Sequence, residues 1–145
     1  MKVIIKSIIN IVIRFFNIKK ELIILDDLFP HYISVFRNME FQSYLKQYDT
    51  VIYSTGNALK IVNETKSIDS LISEYKILFP EYKKKIKKFN PNKIIKSKLC
   101  YFIFLHNAYL FLSYVHKNKI PFIFTLYPGG NFILNDYQSD SWLKE

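Results

Sequence analysis

Residues 120–132 read IPFIFTLYPGGNF, an apolar run that breaks at Pro128-Gly129-Gly130. A continuous apolar run bounded by turn residues is typical of a strand that is buried on both faces, as in a parallel sheet. Proline fixes the backbone for the first turn position, and glycine adopts the positive φ that the next position requires. We therefore expect a central strand that ends in a tight loop, poor in side chains, at one edge of a sheet.

The rest of the chain alternates predicted strands with predicted helices. Further strands are expected at residues 21–25, 50–53 and 98–105. Helices are expected at residues 34–48, at 68–79 with Ser67 as the N-cap, and after Asn107. A turn-rich helical piece is expected after Pro80. Core candidates in the first helix are Phe36, Met39, Leu45 and Tyr48; those in the piece after Pro80 are Tyr82, Ile86 and Phe89. This alternation predicts a Rossmann-like α/β fold with a mainly parallel sheet flanked by helices.

The composition of the 145 residues favours one domain with a substantial core, because half of them are hydrophobic. The single cysteine, Cys100, excludes a disulfide framework and a thiolate metal cluster, and it fits a reducing compartment. The net charge of +9 favours an acidic partner such as nucleic acid, an anionic membrane or a phosphorylated substrate. Lysine outnumbers arginine, which suits diffuse attraction better than bidentate recognition of bases or phosphates.

The first 20 residues, MKVIIKSIINIVIRFFNIKK, form a basic apolar leader. Lys6, Asn10 and Arg14 interrupt the apolar run and no cleavage site follows, so neither a signal peptide nor a membrane span is predicted. At helical spacing the polar residues fall within one arc, which indicates an amphipathic helix. Such a helix either lies on an anionic membrane surface or, after a first strand at residues 3–5, packs on the core. Both interpretations remain open.

Polar side chains follow the predicted strands at their carboxyl ends, which meet at one edge of a parallel sheet. In such sheets this edge is where ligands bind. The residues expected there from the strand ends are Asp26, Asp27 and His31, then Ser54 to Asn57, then His106 and Asn107, then Tyr127 to Asn131. Arg37 and Glu40 lie in the first turns of the helix after Pro30, so they are expected near the same edge.

Each of these residues also has a purely structural interpretation. Arg37 and Glu40 are three residues apart and pair on a helix surface in many proteins. The two aspartates can terminate a strand and cap a turn, and a histidine beside a strand end is more often structural than catalytic. The paired Gly129-Gly130 is the most specific signal, because two glycines after a buried strand usually allow close backbone approach to a ligand.

The lysine-rich run at residues 83–88 is the densest positive patch, and we interpret it as a solvated helix face or as a surface that attracts anionic lipid headgroups. Nucleic acid is not predicted as a partner, because stacking aromatics do not interleave with the run and arginine is scarce. Dinucleotide, P-loop, zinc and serine-nucleophile motifs are absent from the sequence. The adjacent Asp26-Asp27 resembles a receiver domain, but the acceptor aspartate and late lysine of that class are missing.

Four stretches together resemble the N-terminal half of bacterial GT-B-type glycosyltransferases, enzymes that assemble cell-surface polysaccharides. They are LDDLFPHYISVFRNMEF at 25–41, VIYST at 51–55, FIFLHNAY at 102–109 and PFIFTLYPGGNF at 121–132. The resemblance extends from Leu22 to Leu143, and its most specific parts are the Asp-Asp-x-Phe-Pro turn, the Phe-Arg-x-x-Glu-Phe helix and the Leu-Tyr-Pro-Gly-Gly loop. Asn131 stands where relatives are expected to have a third glycine.

The resemblance implies a two-domain enzyme in which the N-terminal half binds a glycan or lipid-linked glycan acceptor. The nucleotide-sugar donor would bind to a C-terminal half that is missing here, so the chain is expected to come from a truncated gene, a split enzyme or a partial sequence. It implies no metal and no cofactor on this chain, and the sequence has neither an Asp-x-Asp pair nor a Glu-x₇-Glu pair. We therefore expect a leader at 1–20 and an incomplete acceptor-side domain at 21–145, inactive alone, in the cytoplasm or peripheral at the inner face of the plasma membrane.

The residues expected to contact the acceptor are Asp26, Asp27, His31, Arg37, Glu40, Asn107, Tyr127, Gly129 and Gly130. No catalytic residue is assigned. The competing interpretation is a non-catalytic α/β module that binds a membrane or a protein through its basic leader and its lysine-rich segment.

Overall fold

A computed structural model describes residues 19–31, 35–104 and 108–126 of the chain. Most of the leader, the segment that contains His106 and Asn107, and the loop expected after Leu126 lie outside these ranges. The elements in chain order are β1 (Lys20–Asp26), α1 (Val35–Gln47), β2 (Thr50–Ser54), a 3₁₀ turn (Leu59–Val62), α2 (Ile68–Leu78), a 3₁₀ turn (Pro80–Tyr82), β3 (Ile86–Lys88), β4 (Ser97–Phe104), α3 (Ala108–Lys117) and β5 (Phe122–Leu126).

The five strands form one sheet in the order β3-β2-β1-β4-β5, and every neighbouring pair is parallel. With helices flanking the sheet, this confirms the predicted Rossmann-like α/β fold. The centre of the sheet is β1, whose residues from Leu22 to Asp26 are all buried. The prediction that residues 120–126 form the central strand is wrong for the described part of the chain. There β5 lies at an edge, and Phe122 and Ile123 are 39% and 55% exposed.

Two hydrophobic clusters cover opposite faces of the sheet, because successive side chains along a strand alternate between its faces. Leu22 and Ile24 of β1 belong to the cluster that contains the apolar residues of α1 and α2. Ile23 and Leu25 belong to the cluster that contains Phe111 and Val115 of α3. Strand β1 therefore supplies core to both layers, which accounts for its unbroken apolar sequence.

Local sequence signals set the limits of α2. The Ser67 side chain accepts a hydrogen bond from the Ser70 backbone N–H at 3.2 Å, which confirms the predicted N-cap. The residues at helical spacing, Ile68, Leu71, Ile72 and Tyr75, are buried. Pro80 follows directly after Phe79 and starts a separate 3₁₀ turn, as the missing N–H of proline requires.

The segment after that turn differs from the prediction of a second helical piece. Residues 86–88 form the short strand β3, paired with β2 through Ile52 and Ile86. Ile86 packs into the α1/α2 cluster, whereas Phe89 packs against the α3 cluster on the other face. The predicted single apolar face is therefore wrong, because a strand places residues of odd spacing on opposite sides. The lysine-rich run is accordingly a turn and an edge strand rather than a helix face.

The buried face of α1 also differs from the prediction in part. Leu45 is buried as expected, but Met39 and Tyr48 are 64% and 46% exposed. Phe41, which was not predicted, is fully buried and packs edge to face with Tyr101 of β4. The side chain of Phe36 lies outside the described ones.

None of the helices in the three described ranges combines the length and apolar character that crossing a membrane requires.

Candidate functional site

The sheet has a topological switch point between β1 and β4. From β1 the chain continues through α1 to β2 on one side, whereas the strand on the other side, β4, continues through α3 to β5. The helices of these two halves pack on opposite faces of the sheet, so the carboxyl ends of β1 and β4 mark the position of the switch. Ligands of open α/β sheets bind at this position. The candidate site is therefore built from Asp26, the last residue of β1, and the groups around it.

The Asp26 carboxylate organises the turn that leaves β1. Its Oδ1 accepts hydrogen bonds from the backbone N–H groups of Leu28 at 2.8 Å and Phe29 at 2.6 Å. Its Oδ2 lies 3.6 Å from Nη1 of Arg37, which enters from the first turn of α1. Both side chains are buried, with Asp26 1% and Arg37 8% exposed. Two residues predicted for the site are therefore brought together as an enclosed ion pair.

Burial raises the pKa of Asp26, because the enclosed site disfavours the charged carboxylate. Arg37 and the two backbone N–H groups act in the opposite direction, and the more distant Glu40 adds to the rise. Oδ2 has no hydrogen-bond partner within the described residues. A buried carboxyl group with a shifted pKa and a charged partner at a sheet edge is a feature of functional sites.

Glu40 faces a different part of the molecule from Arg37. Its Oε1 accepts hydrogen bonds from the hydroxyl groups of Tyr101 on β4, at 2.9 Å, and of Tyr44 on α1, at 3.2 Å. The Tyr101 hydroxyl also lies 3.0 Å from Oγ1 of Thr125 on β5. Burial is the main cause that raises the pKa of Tyr101; the hydrogen bond with Thr125 acts in the opposite direction, and Glu40 adds to the rise. The network links α1 to both strands of the second half of the sheet.

An open cleft of about 500 Å³ surrounds this network. It lies on the α1 side of the sheet, between α1 and residues of β1, β4 and β5. The polar residues that line it include Glu21, Glu40, Tyr101 and Thr125. Tyr44 and Tyr48 supply aromatic walls, and the remaining surface includes Leu22, Leu99 and Ile123. The cleft therefore combines hydroxyl and carboxylate groups with ring faces, a combination that suits a neutral, hydroxyl-rich ligand.

His31 and Glu64 form a second pair at the rim of the sheet. Nε2 of His31 lies 3.0 Å from Oε2 of Glu64, and both side chains are largely shielded. A hydrogen bond from the Lys66 backbone N–H is the main cause that lowers the pKa of Glu64, and His31 adds to it. Nδ1 of His31 is enclosed, and the described residues offer it no hydrogen-bond partner. Glu64 therefore holds the imidazole ring in one orientation.

The loop after β2 is fastened to the end of β1. The backbone N–H of Thr55 donates to the Asp26 carbonyl at 3.0 Å, and that of Ala58 donates to the Asp27 carbonyl at 3.1 Å. Gly56 between them has φ +73°, and a Cβ at this position would lie 2.7 Å from Cβ of Ile68. Only glycine fits there without displacement, so the loop keeps close to α2.

The predicted site residues thus separate into three groups. Asp26 and Arg37 form the ion pair with Asp27 buried beside them, Glu40 lies in the aromatic cleft, and His31 pairs with Glu64. The remaining four, Asn107, Tyr127, Gly129 and Gly130, lie outside the described residues. Glu64, Tyr101 and Thr125 were not predicted for the site, because their partners are distant in sequence; Tyr101 and Glu40, for example, are 61 residues apart. Within residues 19–31, 35–104 and 108–126, no three His, Cys, Asp or Glu side chains gather as a metal site requires.

Comparisons with known proteins add no relative from which a function could be transferred. No family model matches the chain, and neither the curated proteins nor the solved structures include one that is significantly similar to it. The chain is therefore assigned to a fold class, the Rossmann-like α/β fold, and to no family.

Proposed function

We propose that the chain is the acceptor-binding domain of a GT-B-type glycosyltransferase that transfers a sugar from a nucleotide-sugar donor to a surface glycan. The observation that carries the proposal is the aromatic cleft around Glu40. A sugar hydroxyl can donate to the Glu40 carboxylate, while Tyr44 and Tyr48 present ring faces to the apolar face of a pyranose. The sequence resemblance at residues 25–41 includes Glu40 itself and supports the same assignment.

The other site residues have supporting roles in this proposal. The Asp26–Arg37 pair fixes the turn at the end of β1 and the start of α1, and therefore the position of Glu40 one turn later. His31, oriented by Glu64, lies at the rim, where it would contact a part of the acceptor that extends beyond the cleft. The donor sugar would bind to a partner half of the enzyme, so transfer by this chain alone is not expected.

Saturation-transfer NMR with neutral disaccharides (lactose, maltose and sucrose) tests the proposal. We expect the wild-type chain to transfer saturation to at least one of them at millimolar concentration, as single weak sugar sites do. Glu40→Gln removes the charge of the acceptor group and is expected to reduce the signal strongly. Glu81→Gln, an exposed residue outside the cleft, is the matched control and should leave the signal unchanged.

Two results would contradict acceptor binding in this cleft: no saturation transfer to any sugar, or equal signals from the two variants. A well-folded Glu40→Gln protein is shown by an unchanged amide spectrum away from α1, which separates loss of binding from loss of structure.

We also propose that the chain is cytoplasmic and attaches peripherally to an anionic membrane through its basic leader. The basis is the amphipathic pattern of residues 1–20 together with the net charge of +9. Sedimentation with vesicles that contain phosphatidylglycerol should recover the wild-type chain in the pellet. The full-length variant in which Lys2, Lys6 and Arg14 are replaced by glutamine should stay in the supernatant. Equal sedimentation of both chains would rule out the leader as the anchor.

A further inference from the structure

A second cleft, of about 630 Å³, lies on the opposite face of the sheet from the Glu40 cleft. Tyr53 of β2 and Lys87 of β3 are in register and form part of its floor. The segment between β3 and β4 forms a wall. Five lysines line the cleft: Lys20, Lys87, Lys88, Lys93 and Lys96. None of the described residues that line it carries a carboxylate.

Two of the five lysine ammonium groups are paired with a carboxylate, and three are not paired within the described residues. Nζ of Lys20 is paired with Asp49 at 2.7 Å, and Nζ of Lys88 is paired with Asp69. Lys87, Lys93 and Lys96 have no carboxylate within 4.0 Å in the described part of the chain. Three lysines that line one concave surface thus have no counter-charge from these residues, an arrangement that favours an anionic ligand.

The lysine-bearing wall is held in place by hydrogen bonds. The hydroxyl of Tyr114 on α3 donates to the Lys93 carbonyl at 2.6 Å and accepts from the Ile95 backbone N–H at 3.0 Å. The Asn90 side chain accepts from the Asn92 backbone N–H at 2.9 Å, which closes the turn before Lys93. Because the backbone of this segment is fixed before a ligand arrives, binding would cost little ordering entropy.

The cleft also has an apolar component. Ile94 is 78% exposed, and half-buried Ile95 and Tyr53 lie beside it. Its volume is within the range of small-molecule pockets and far exceeds that of a single phosphate ion. An anionic group and a ring or hydrocarbon part can therefore be accommodated together.

We propose that this cleft binds a soluble organic phosphate of nucleotide size. Its phosphate groups would contact Lys87, Lys93 and Lys96, and its ring would lie against Tyr53, Ile94 and Ile95. Ammonium groups suit this role because lysine binds phosphate as a point charge on a flexible stem and needs no fixed bidentate geometry. A concave site of this size favours a small molecule over a membrane, which requires a convex or flat surface. The site is separate from the proposed acceptor cleft, which lies on the other face.

Isothermal titration of the full chain with ADP tests the proposal, with pyrophosphate and adenosine as the two partial ligands. We expect saturable binding of ADP that weakens with added salt, weaker binding of pyrophosphate and very weak binding of adenosine. The double variant Lys87→Gln/Lys93→Gln should bind ADP roughly tenfold or more weakly, the equivalent of one lost hydrogen bond to a charged group. The matched control is Lys83→Gln/Lys84→Gln, which removes the same charge from exposed residues of the same run that do not line the cleft. It should change the affinity less than about twofold.

Three results would overturn the proposal. The first is the absence of saturable ADP binding, and the second is equal weakening of binding by the two double variants, which would indicate diffuse attraction to net charge. Sedimentation with phosphatidylglycerol vesicles that depends on Lys87 and Lys93, without ADP binding, would assign the lysines to a membrane instead. Unfolding in urea should give the same midpoint for wild type and both variants, so that loss of binding is not loss of fold. None of these results depends on sugar binding at Glu40.

Discussion

The two charged regions of the molecule, the Asp26–Arg37 pair and the lysine-lined cleft, are built in opposite ways. Asp26 and Arg37 are buried and lie 3.6 Å apart, and two backbone N–H groups hold the Asp26 carboxylate at the end of the central strand. Lys87 and Lys93 are exposed and have no described carboxylate beside them. A buried charge is costly to leave without its partner, whereas an exposed one is hydrated. The first region should therefore influence stability strongly and the second mainly binding.

Arg37→Met is expected to lower the stability of the fold more than any other substitution considered below. It fills similar volume but leaves the Asp26 carboxylate enclosed without its cation, so we expect the free energy of unfolding to fall by about 3 kcal/mol. Urea denaturation followed by circular dichroism measures the change. Lys46→Met, an exposed residue in the last turn of α1, is the control and should cost less than about 0.5 kcal/mol. A loss below about 1 kcal/mol for Arg37→Met would mean that the pair is not a structural link.

Gly56→Ala is expected to have the next largest effect, through backbone geometry rather than charge. The residue has φ +73°, and the added Cβ would meet Ile68 at 2.7 Å, so we expect a loss of about 2 kcal/mol. Thermal unfolding compared with that of Asn57→Ala, its exposed neighbour, isolates the effect. If both variants unfold at the wild-type temperature, the loop after β2 is not held against α2 as described.

The pH dependence of stability distinguishes the buried carboxyl from exposed ones. Burial raises the pKa of Asp26 above its ordinary value of 3.8, so the folded state binds this proton more tightly than the unfolded state. The stabilisation from this group is full below pH 3.8 and is lost as the pH rises through the folded-state pKa. We therefore expect the stability of Asp26→Asn, relative to wild type, to increase from acidic to neutral pH. Urea denaturation at several pH values tests this, and a constant or opposite difference would contradict it.

Lys87→Gln/Lys93→Gln is expected to have the smallest effect on stability. Since these charges are exposed and repel one another, removing them should change the free energy of unfolding by less than about 0.5 kcal/mol, or raise it slightly. The same urea assay as for Arg37→Met gives a direct comparison. A loss as large as that of Arg37→Met would show that the contrast between the two regions is mistaken.

Local sequence signals were sufficient for most of the elements. The apolar stretches at 21–25, 50–53, 98–105 and 120–126 all proved to contain strands, and Ser67 and Pro80 marked the limits of α2 correctly. The order of the strands in the sheet could not be predicted from these local signals. Both β1 and β5 have apolar sequences, and only pairing with β2 and β4 makes β1 the central strand. Residues 86–88 were misassigned because a three-residue strand has too little periodicity to distinguish it from a helix.

The position of Asp26 was predictable from the sequence, but the contacts of the other candidate residues were not. The alternation of strands and helices placed Asp26 at the carboxyl edge of the sheet, where the structure has it. The partners of Glu40 and His31 depend on how α1 and the segment around Glu64 dock, which distant packing decides. Met39 and Phe41 are a second example. Both residue types are common on the buried face of a helix, and only the packing of α1 against Tyr101 determines that Phe41 is the buried one.

The two edge strands of the described sheet, β3 and β5, differ in how strongly they oppose pairing with another strand. Strand β3 is only three residues long and contains Lys87 and Lys88, features that discourage another strand from pairing with it. Strand β5 has five residues without a charge, and Phe122 and Ile123 are exposed on it. Among the described strands, therefore, any extension of the sheet, by other residues of this chain or by a second molecule, is favoured at β5 and opposed at β3. During purification, a charged substitution at Ile123 should do more for solubility than one anywhere on β3.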